Sequence, residues 1–375
     1  MQHFRVKTDI RYGFGALASL DELAGQRVLV VTDGFLANSP LMATIRQALG
    51  GATVEVYDRV TANPDTATVA SGIVVFQRFK PHAVVAVGGG SPIDAAKAIV
   101  TLAEAEADGA PSFIVIPTTS GSGSEATSYA VISDPASQSK VPLTSESMLP
   151  DIAILDPECV RTAPPKLTAD AGLDAVSHAV EAYVANDHSD FSDAFAEKAL
   201  QLLCRWLPVA YKQPDDLAAR ERVHNAATMA GMAFNNAGLG IVHSLSHAIG
   251  GLFPVPHGRL NAMILPHVIA FNAGPLGWGP ATLTPCALRY AHLGLMVDVK
   301  ATTPRGRVLG LIEDCRKLAA RLDMPTTMSG AGIAKAEFQR ALPRLAEAAL
   351  HDRCTAGNPV AVGVHDLEAI LTKIA

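Results

Sequence analysis

The sequence predicts two domains: an α/β domain on a parallel sheet over residues 1–160, and an all-helical domain over residues 161–375. Three observations predict this. Short apolar runs alternate with amphipathic stretches in the first part, glycine-rich turns follow two of those runs, and beyond DIAILDPE the chain turns Ala- and Leu-rich with helical spacing almost to Ala375. A chain of 375 residues is also long for one core and about right for two.

Four runs read as strands: RVLVVT at 27–32, ATVEVYD at 52–58, AVVAVGGG at 83–90 and FIVIPTT at 113–119. They are continuously apolar rather than alternating, which implies a parallel sheet covered on both faces. Pro164 and Pro165 mark the change of texture, and loops are expected at 185–190, 253–260 and 272–282. No internal repeat or low-complexity segment is present.

Hydrophobic residues are 49% of the chain and charged residues 18%, enough to fill large cores and too apolar for a disordered chain. A net charge of −6 without any Lys/Arg run excludes a nucleic-acid partner. The five cysteines, Cys159, Cys204, Cys286, Cys315 and Cys354, are scattered and form no CxxC pair, so a reducing cytoplasm is expected and a disulfide framework is not. The first residues, MQHFRVKTDIRYGFG, lack an apolar signal region, and no apolar run reaches the roughly 18 residues of a membrane span.

Asp174, His178, His243 and His257 together can bind one divalent ion. Asp174 and His178 stand at i and i+4 in LTADAGLDAVSHAVEAYV, so both project from one helix face. His243 and His247 repeat that spacing in GLGIVHSLSHAIGG, and His257 is read in the short loop FPVPHGRLNA, where Gly258 lets the backbone turn sharply. One histidine is then left over. A single histidine on an apolar helix is more often a core residue than a ligand, but several ionisable groups grouped in apolar helices are costly to bury unless an ion is shared. Mixed imidazole and carboxylate donors suit iron, zinc, nickel or manganese, not calcium.

In AVVAVGGGSPIDAAKAI a strand runs through Gly88, Gly89, Gly90 and Ser91 into a helix, exposing backbone amides that can receive a pyrophosphate. The pattern is not GxGxxG, and a tight βα turn is the bland alternative. A second loop, IPTTSGSGSEAT, adds the hydroxyls of Thr118, Thr119 and Ser122 with open backbone at Gly121 and Gly123. Asp33, after RVLVVT, suits the hydroxyls of an adenosine ribose and repels a 2′-phosphate, or else makes an Asx turn before Gly34.

The segments GGGSPIDAAKAI, IPTTSGSGSEAT, LPDIAILDPE, AGLDAVSHAVEAY, AGLGIVHSLSHAIGG and PHGRLNAMILPHV resemble, in order and spacing, the iron-containing (group III) alcohol dehydrogenase family over essentially the whole chain. TDGFLANSPLM, the ISDP to LPDIAILDPE stretch and AGMAFNNAGLG are most similar to its propanol dehydrogenase branch of propanediol utilisation. The resemblance implies a Rossmann-like dinucleotide-binding domain with a dehydroquinate synthase-like helical domain, NAD(H) in a cleft between them, and Fe2+ on Asp174, His178, His243 and His257, with Zn2+, Ni2+ or Mn2+ as substitutes. It assigns His247 to the nicotinamide and Asp33 to NAD preference. Its remaining cofactor positions are Asn63, Gly89, Gly90, Ser91, Asp94, Thr118, Thr119, Ser122 and Lys140.

The activity implied interconverts short primary alcohols and aldehydes, propanol with propionaldehyde and ethanol with acetaldehyde. A homodimer and association with a bacterial microcompartment go with it. Arg259 after PHG departs from the small or apolar residue of many relatives and offers an anchor for an anionic substrate such as sulfoacetaldehyde. Glycerol or diol oxidation, or elimination and cyclisation as in the dehydroquinate synthase superfamily, and a non-catalytic metal-binding scaffold are the other readings. The four-ligand pattern opposes the first two, and the retained cofactor residues oppose the last.

Overall fold

A computed structural model describes residues 3–104, 110–134, 139–276 and 283–375. Contacts divide the chain into two compact units, neither continuous in sequence. One comprises Arg5–Ala163 and Pro214–Gly231; the other comprises Met1–Phe4, Pro164–Gln213 and Met232–Ala375.

The first unit carries a sheet of six parallel strands: β1 (Asp9–Tyr12), β2 (Arg27–Asp33), β3 (Thr53–Val60), β4 (Ala83–Gly88), β5 (Ser112–Pro117) and, after an antiparallel ribbon of β6 (Tyr129–Asp134) with β7 (Ser139–Thr144), β8 (Ile152–Leu155). Their order is β1-β8-β5-β4-β2-β3. The expected parallel sheet covered on both faces is present. Leu29 and Val31 of β2 join Val84 and Ala86 of β4 in a core on one face, whereas Val28, Val30, Val85 and Val87 enter a separate core on the other. Two of the six strands, β1 and β8, were not among the four runs read from sequence.

Helices α1 (Gly34–Ala37), α2 (Pro40–Ala48), α3 (Thr66–Phe79) and α4 (Gly90–Glu104) connect the strands. β2 lies between β3 and β4, so the order of connections reverses between β2 and β4. In open α/β sheets the carboxyl ends at such a reversal are where ligands bind. Asp33 ends β2 and the glycine turn ends β4.

The second unit is helical: α5 (Pro165–Val184), α6 (Asp190–Lys212), the end of α7 (Leu217–Ala237), α8 (Ile241–Leu252), α9 (His257–Ala273), α10 (Pro285–Met296), α11 (Pro304–Arg321), α12 (Lys335–Leu350) and α13 (Val364–Thr372). The earlier part of α7 belongs to the sheet-bearing unit. α5 is buried along most of its length, packed by α6, α9 and α10. Its fit needs small residues: a Cβ on Gly172 would come within 2.3 Å of Leu207 Cδ1 of α6. Among the described residues no helix is long and apolar enough to cross a membrane.

One expected loop is shorter than the sequence suggested. The segment 253–260 leaves the extended state at Pro256, and His257 is the first residue of α9 rather than a loop residue. Gly258 therefore does not turn the chain. A Cβ there would lie 1.9 Å from the Asp170 carbonyl oxygen, so its missing side chain lets α9 approach the backbone of α5.

Candidate functional site

Within the helical unit, α5, α8 and α9 bring the predicted ligands together. Asp174 Oδ1 lies 3.6 Å from His257 Nε2, 3.7 Å from His243 Nε2 and 3.9 Å from His178 Nε2. Donor atoms of Asp174, His243 and His257 are all mutually within 4.8 Å. His178 stands beside them, its ring stacked 4.6 Å from that of His243 and 4.4 Å from Phe234. For comparison, bonds of about 2.0–2.1 Å to a tetrahedral ion would give donor spacings of roughly 3.3–3.4 Å. The observed spacings from Asp174 are slightly wider, and mixed nitrogen and oxygen donors of this kind suit a divalent first-row ion.

The neighbouring groups also select the tautomers that such an ion needs. His243 Nδ1 is hydrogen-bonded to Glu181 Oε2, while Glu181 Oε1 accepts from the Val242 amide at 2.7 Å. His257 Nδ1 is 3.3 Å from Ser246 Oγ, whose hydroxyl donates to the His243 carbonyl at 3.0 Å. With each Nδ1 carrying the proton, each Nε2 lone pair points at Asp174. Burial alone would raise the Asp174 carboxyl, but the surrounding imidazoles of His178, His257 and His243 hold it well below the usual carboxylate range.

His247 belongs to a different arrangement. Its Nδ1 is 3.0 Å from Asp352 Oδ2, and Asp352 Oδ1 accepts from the Cys354 amide at 2.8 Å and from Ser244 Oγ at 3.3 Å. Burial opposes charge on Asp352, but the bond to His247 prevails and sets its carboxyl at about 2. The His247 ring stacks on His257, centroids 5.2 Å apart. The side chains of His247 and His257 are 35% and 36% exposed against 5% and 2% for His178 and His243, so these two form the open side of the cluster.

Arg259 does not offer a vacant cation. Its Nε and Nη2 donate to the two oxygens of Asp170 at 3.0 and 2.8 Å, a two-pronged pair that engages the guanidinium edge.

In the sheet-bearing unit the two glycine loops meet. A Cβ on Gly89 would lie 3.2 Å from the Thr119 side chain, and one on Gly90 would lie 3.4 Å from Ser122. The Thr118 amide donates to the Gly88 carbonyl at 2.9 Å, and the Asn63 amide, at a φ of 55°, lies 3.3 Å from Ser91 Oγ. Gly90 and Ser91 open α4, where first-turn amides have no intrahelical acceptor and are free to receive an anion. Asp94 receives Ser124 Oγ at 2.7 Å and the Val131 amide at 3.0 Å, so it braces the second loop from below. Asp33 is an N-cap, its Oδ1 accepting from the amides of Phe35 and Leu36 at 2.9 and 2.8 Å. Lys140 pairs with Ser133 in the β6–β7 ribbon, and its side chain lies outside the described residues.

The second loop is also docked on α7. Ser120 Oγ is 3.0 Å from His224 Nδ1, and Thr228 Oγ1 donates to the buried Glu125 Oε1 at 2.5 Å. At Gly123, with φ of +64°, a Cβ would come 2.6 Å from Gly231 Cα. These α7 residues, together with Glu181, Asn261 and Asp352, went unnoticed in the sequence. Glu181 alone had a signal, standing at i+7 from Asp174 on the same helical stripe.

The profile of the iron-containing alcohol dehydrogenases matches residues 7–157, and that of the Fe-containing alcohol dehydrogenase family, C-terminal part, matches residues 168–375. The chain is 38% identical over 377 residues to the 1-propanol dehydrogenase PduQ of Salmonella typhimurium, covering 100% of both, and 35% identical to an NADPH-dependent butanol dehydrogenase of Clostridium saccharobutylicum, covering 99% of this chain and 97% of that one. Among solved structures, a 1,3-propanediol oxidoreductase superposes with a TM-score of 0.91 at 30% identity, covering 100% of both chains. This chain belongs to the iron-containing alcohol dehydrogenase family. It is an oxidoreductase of the metal-dependent alcohol dehydrogenase class.

Proposed function

We propose that this enzyme interconverts short primary alcohols and their aldehydes with NAD(H), reducing propionaldehyde and acetaldehyde most efficiently. The observation that carries the reading is the convergence of Asp174, His243 and His257 on one point, in a chain 38% identical from end to end to 1-propanol dehydrogenases. Asp174, His178, His243 and His257 hold the iron, and a divalent ion bound there supplies Lewis acidity toward the alcohol or aldehyde oxygen.

The protein's own groups do the rest. Asp174 supplies the negative charge that balances the ion, and Glu181 keeps His243 in the tautomer that ligates. Asp352 holds His247 by Nδ1 on the open side of the cluster, leaving Nε2 to exchange the alcohol proton. The amides of Gly89, Gly90 and Ser91 and the hydroxyls of Thr118, Thr119 and Ser122 take the cofactor pyrophosphate, with Asn63 and Asp94 maintaining the loops and Lys140 adding a cation. A nicotinamide cofactor anchored by these loops would supply hydride transfer. Asp33 accepts the ribose hydroxyls, favouring NAD(H) over the cofactor named for the butanol dehydrogenase relative.

The sulfoacetaldehyde alternative rested on Arg259, whose guanidinium edge is taken up by Asp170. Five free cysteines accord with a reducing cytoplasm. Homodimer formation and microcompartment association accompany the propanol dehydrogenase reading and are checked by light scattering and co-purification. The test of function is an anaerobically purified, iron-loaded enzyme oxidising NADH with a panel of aldehydes. Propionaldehyde and acetaldehyde lead on this reading; a sulfoacetaldehyde kcat/KM more than about tenfold higher, worth roughly 1.4 kcal/mol, overturns it.

A further inference from the structure

Asn261, four residues after His257 on α9, is wholly buried at the centre of the ligand cluster. Its Nδ2 donates to Asp174 Oδ1 at 2.7 Å and stands 3.2 Å from His243 Nε2 and 3.3 Å from His257 Nε2. Its Oδ1 is buried with no hydrogen-bond partner among the described residues. The amide has therefore given its acceptor no use and turned its donor onto three acceptor atoms that belong to three different helices.

We infer that Asn261 is a positioning residue of the metal centre, which holds the donor atoms of Asp174, His243 and His257 converged before the ion arrives. The inference rests on the reading of those three as ligands. Its physics is simple. A carboxylate oxygen and two imidazole lone pairs aimed at one point repel each other in a buried site, and each is costly to leave without a partner. An N–H pair among them substitutes for the positive charge of the ion. A divalent ion held by these donors would take the imidazole lone pairs, with Asn261 left its bond to Asp174. Less rearrangement is needed than if the ligands started apart, which is the general advantage of preorganisation. An apolar residue of similar size would fill the same space and supply no donor, so packing and positioning are separable by substitution.

The test uses the full-length protein stripped of metal and titrated with Co2+ against a competing chelator, reading both the dissociation constant and the visible d–d absorption. Asn261→Leu keeps the volume without the donor; Asn261→Ala is the second variant should the leucine disturb folding. The inference predicts a 10- to 100-fold weaker Co2+ affinity in either folded variant, in the range for groups that orient metal ligands, with an altered d–d spectrum. Thermal stability of the stripped protein falls less than a general packing defect would require. Affinity within twofold of wild type and an unchanged spectrum in a folded variant overturn it. His243→Ala serves as the control: if it keeps wild-type affinity, the ligand reading fails, whereas weak binding there beside unaltered binding in the Asn261 variants removes the inference alone.

Discussion

Glu181 reaches from α5 to the Nδ1 of His243 on α8, a contact between residues 62 positions apart in which neither side chain is open to solvent. It ties the helix that carries Asp174 and His178 to the helix that carries His243. It also determines which imidazole nitrogen is left to face the ion, because a carboxylate at Nδ1 keeps the proton there. The cluster is thus layered: Asp174 and the Nε2 atoms face inward around the Asn261 amide, and Glu181 and Ser246 stand behind the rings at Nδ1.

Glu181→Gln tests that layer. A glutamine preserves shape but removes the charge that favours the Nδ1–H tautomer, so iron affinity should fall about 10- to 100-fold. Competition with a chelator measures it. Unchanged affinity in the folded variant would show that Glu181 serves packing alone.

How far the site was readable from sequence follows from spacing. Asp174 with His178, and His243 with His247, announce themselves because i,i+4 pairs share a helix face. Asp352 lies 105 positions from His247 and no periodicity links them; only the tertiary fold brings the carboxylate to the imidazole. The strands β1 and β8, four residues each, are too short to stand out as apolar runs, and DIRY is polar at a sheet edge. The division of α7 between two units had no signal at all, since helical spacing says that a helix buries a face and not against which partner. His257 was read as a loop residue with Gly258 turning the chain after it; instead α9 starts at His257, directly after Pro256.

Arg259→Ala should leave substrate choice intact. Its guanidinium is committed to Asp170, so the ratio of kcat/KM for sulfoacetaldehyde and propionaldehyde should change by less than about threefold, well under the roughly 1.4 kcal/mol of a tenfold effect. Stability should fall instead, because burial already raises the Asp170 carboxyl and the arginine is what counteracts it. A tenfold shift in the ratio would return Arg259 to the substrate.

Asp33→Asn separates the two roles of that position. Asparagine retains an acceptor for the amides of Phe35 and Leu36 while removing the charge that repels a 2′-phosphate. The NADPH to NADH ratio of kcat/KM should rise by about tenfold, equivalent to roughly 1.4 kcal/mol. If the ratio stays at the parent value, Asp33 is a helix cap and nothing more.

His224 is expected to make the fold sensitive to acid. Burial is what depresses its pKa, from 6.5 to about 4. The unfolded chain therefore takes up this proton first, so its contribution to stability is whole above pH 6.5 and is lost as pH falls toward 4. His224→Asn keeps a polar group near Ser120 and removes the titration. Urea midpoints of metal-free wild type should drop more steeply than those of the variant across that window; parallel curves would contradict the assignment.

The central claim is that Asp174, His178, His243 and His257 hold the iron at which alcohol and aldehyde react. Iron per chain and NADH-dependent propionaldehyde reduction, measured side by side on anaerobically iron-loaded wild type and His243→Ala, test it most directly. The account predicts about one iron per chain with turnover in wild type, and loss of both in a folded His243→Ala. Full iron content with undiminished turnover in that variant would contradict it.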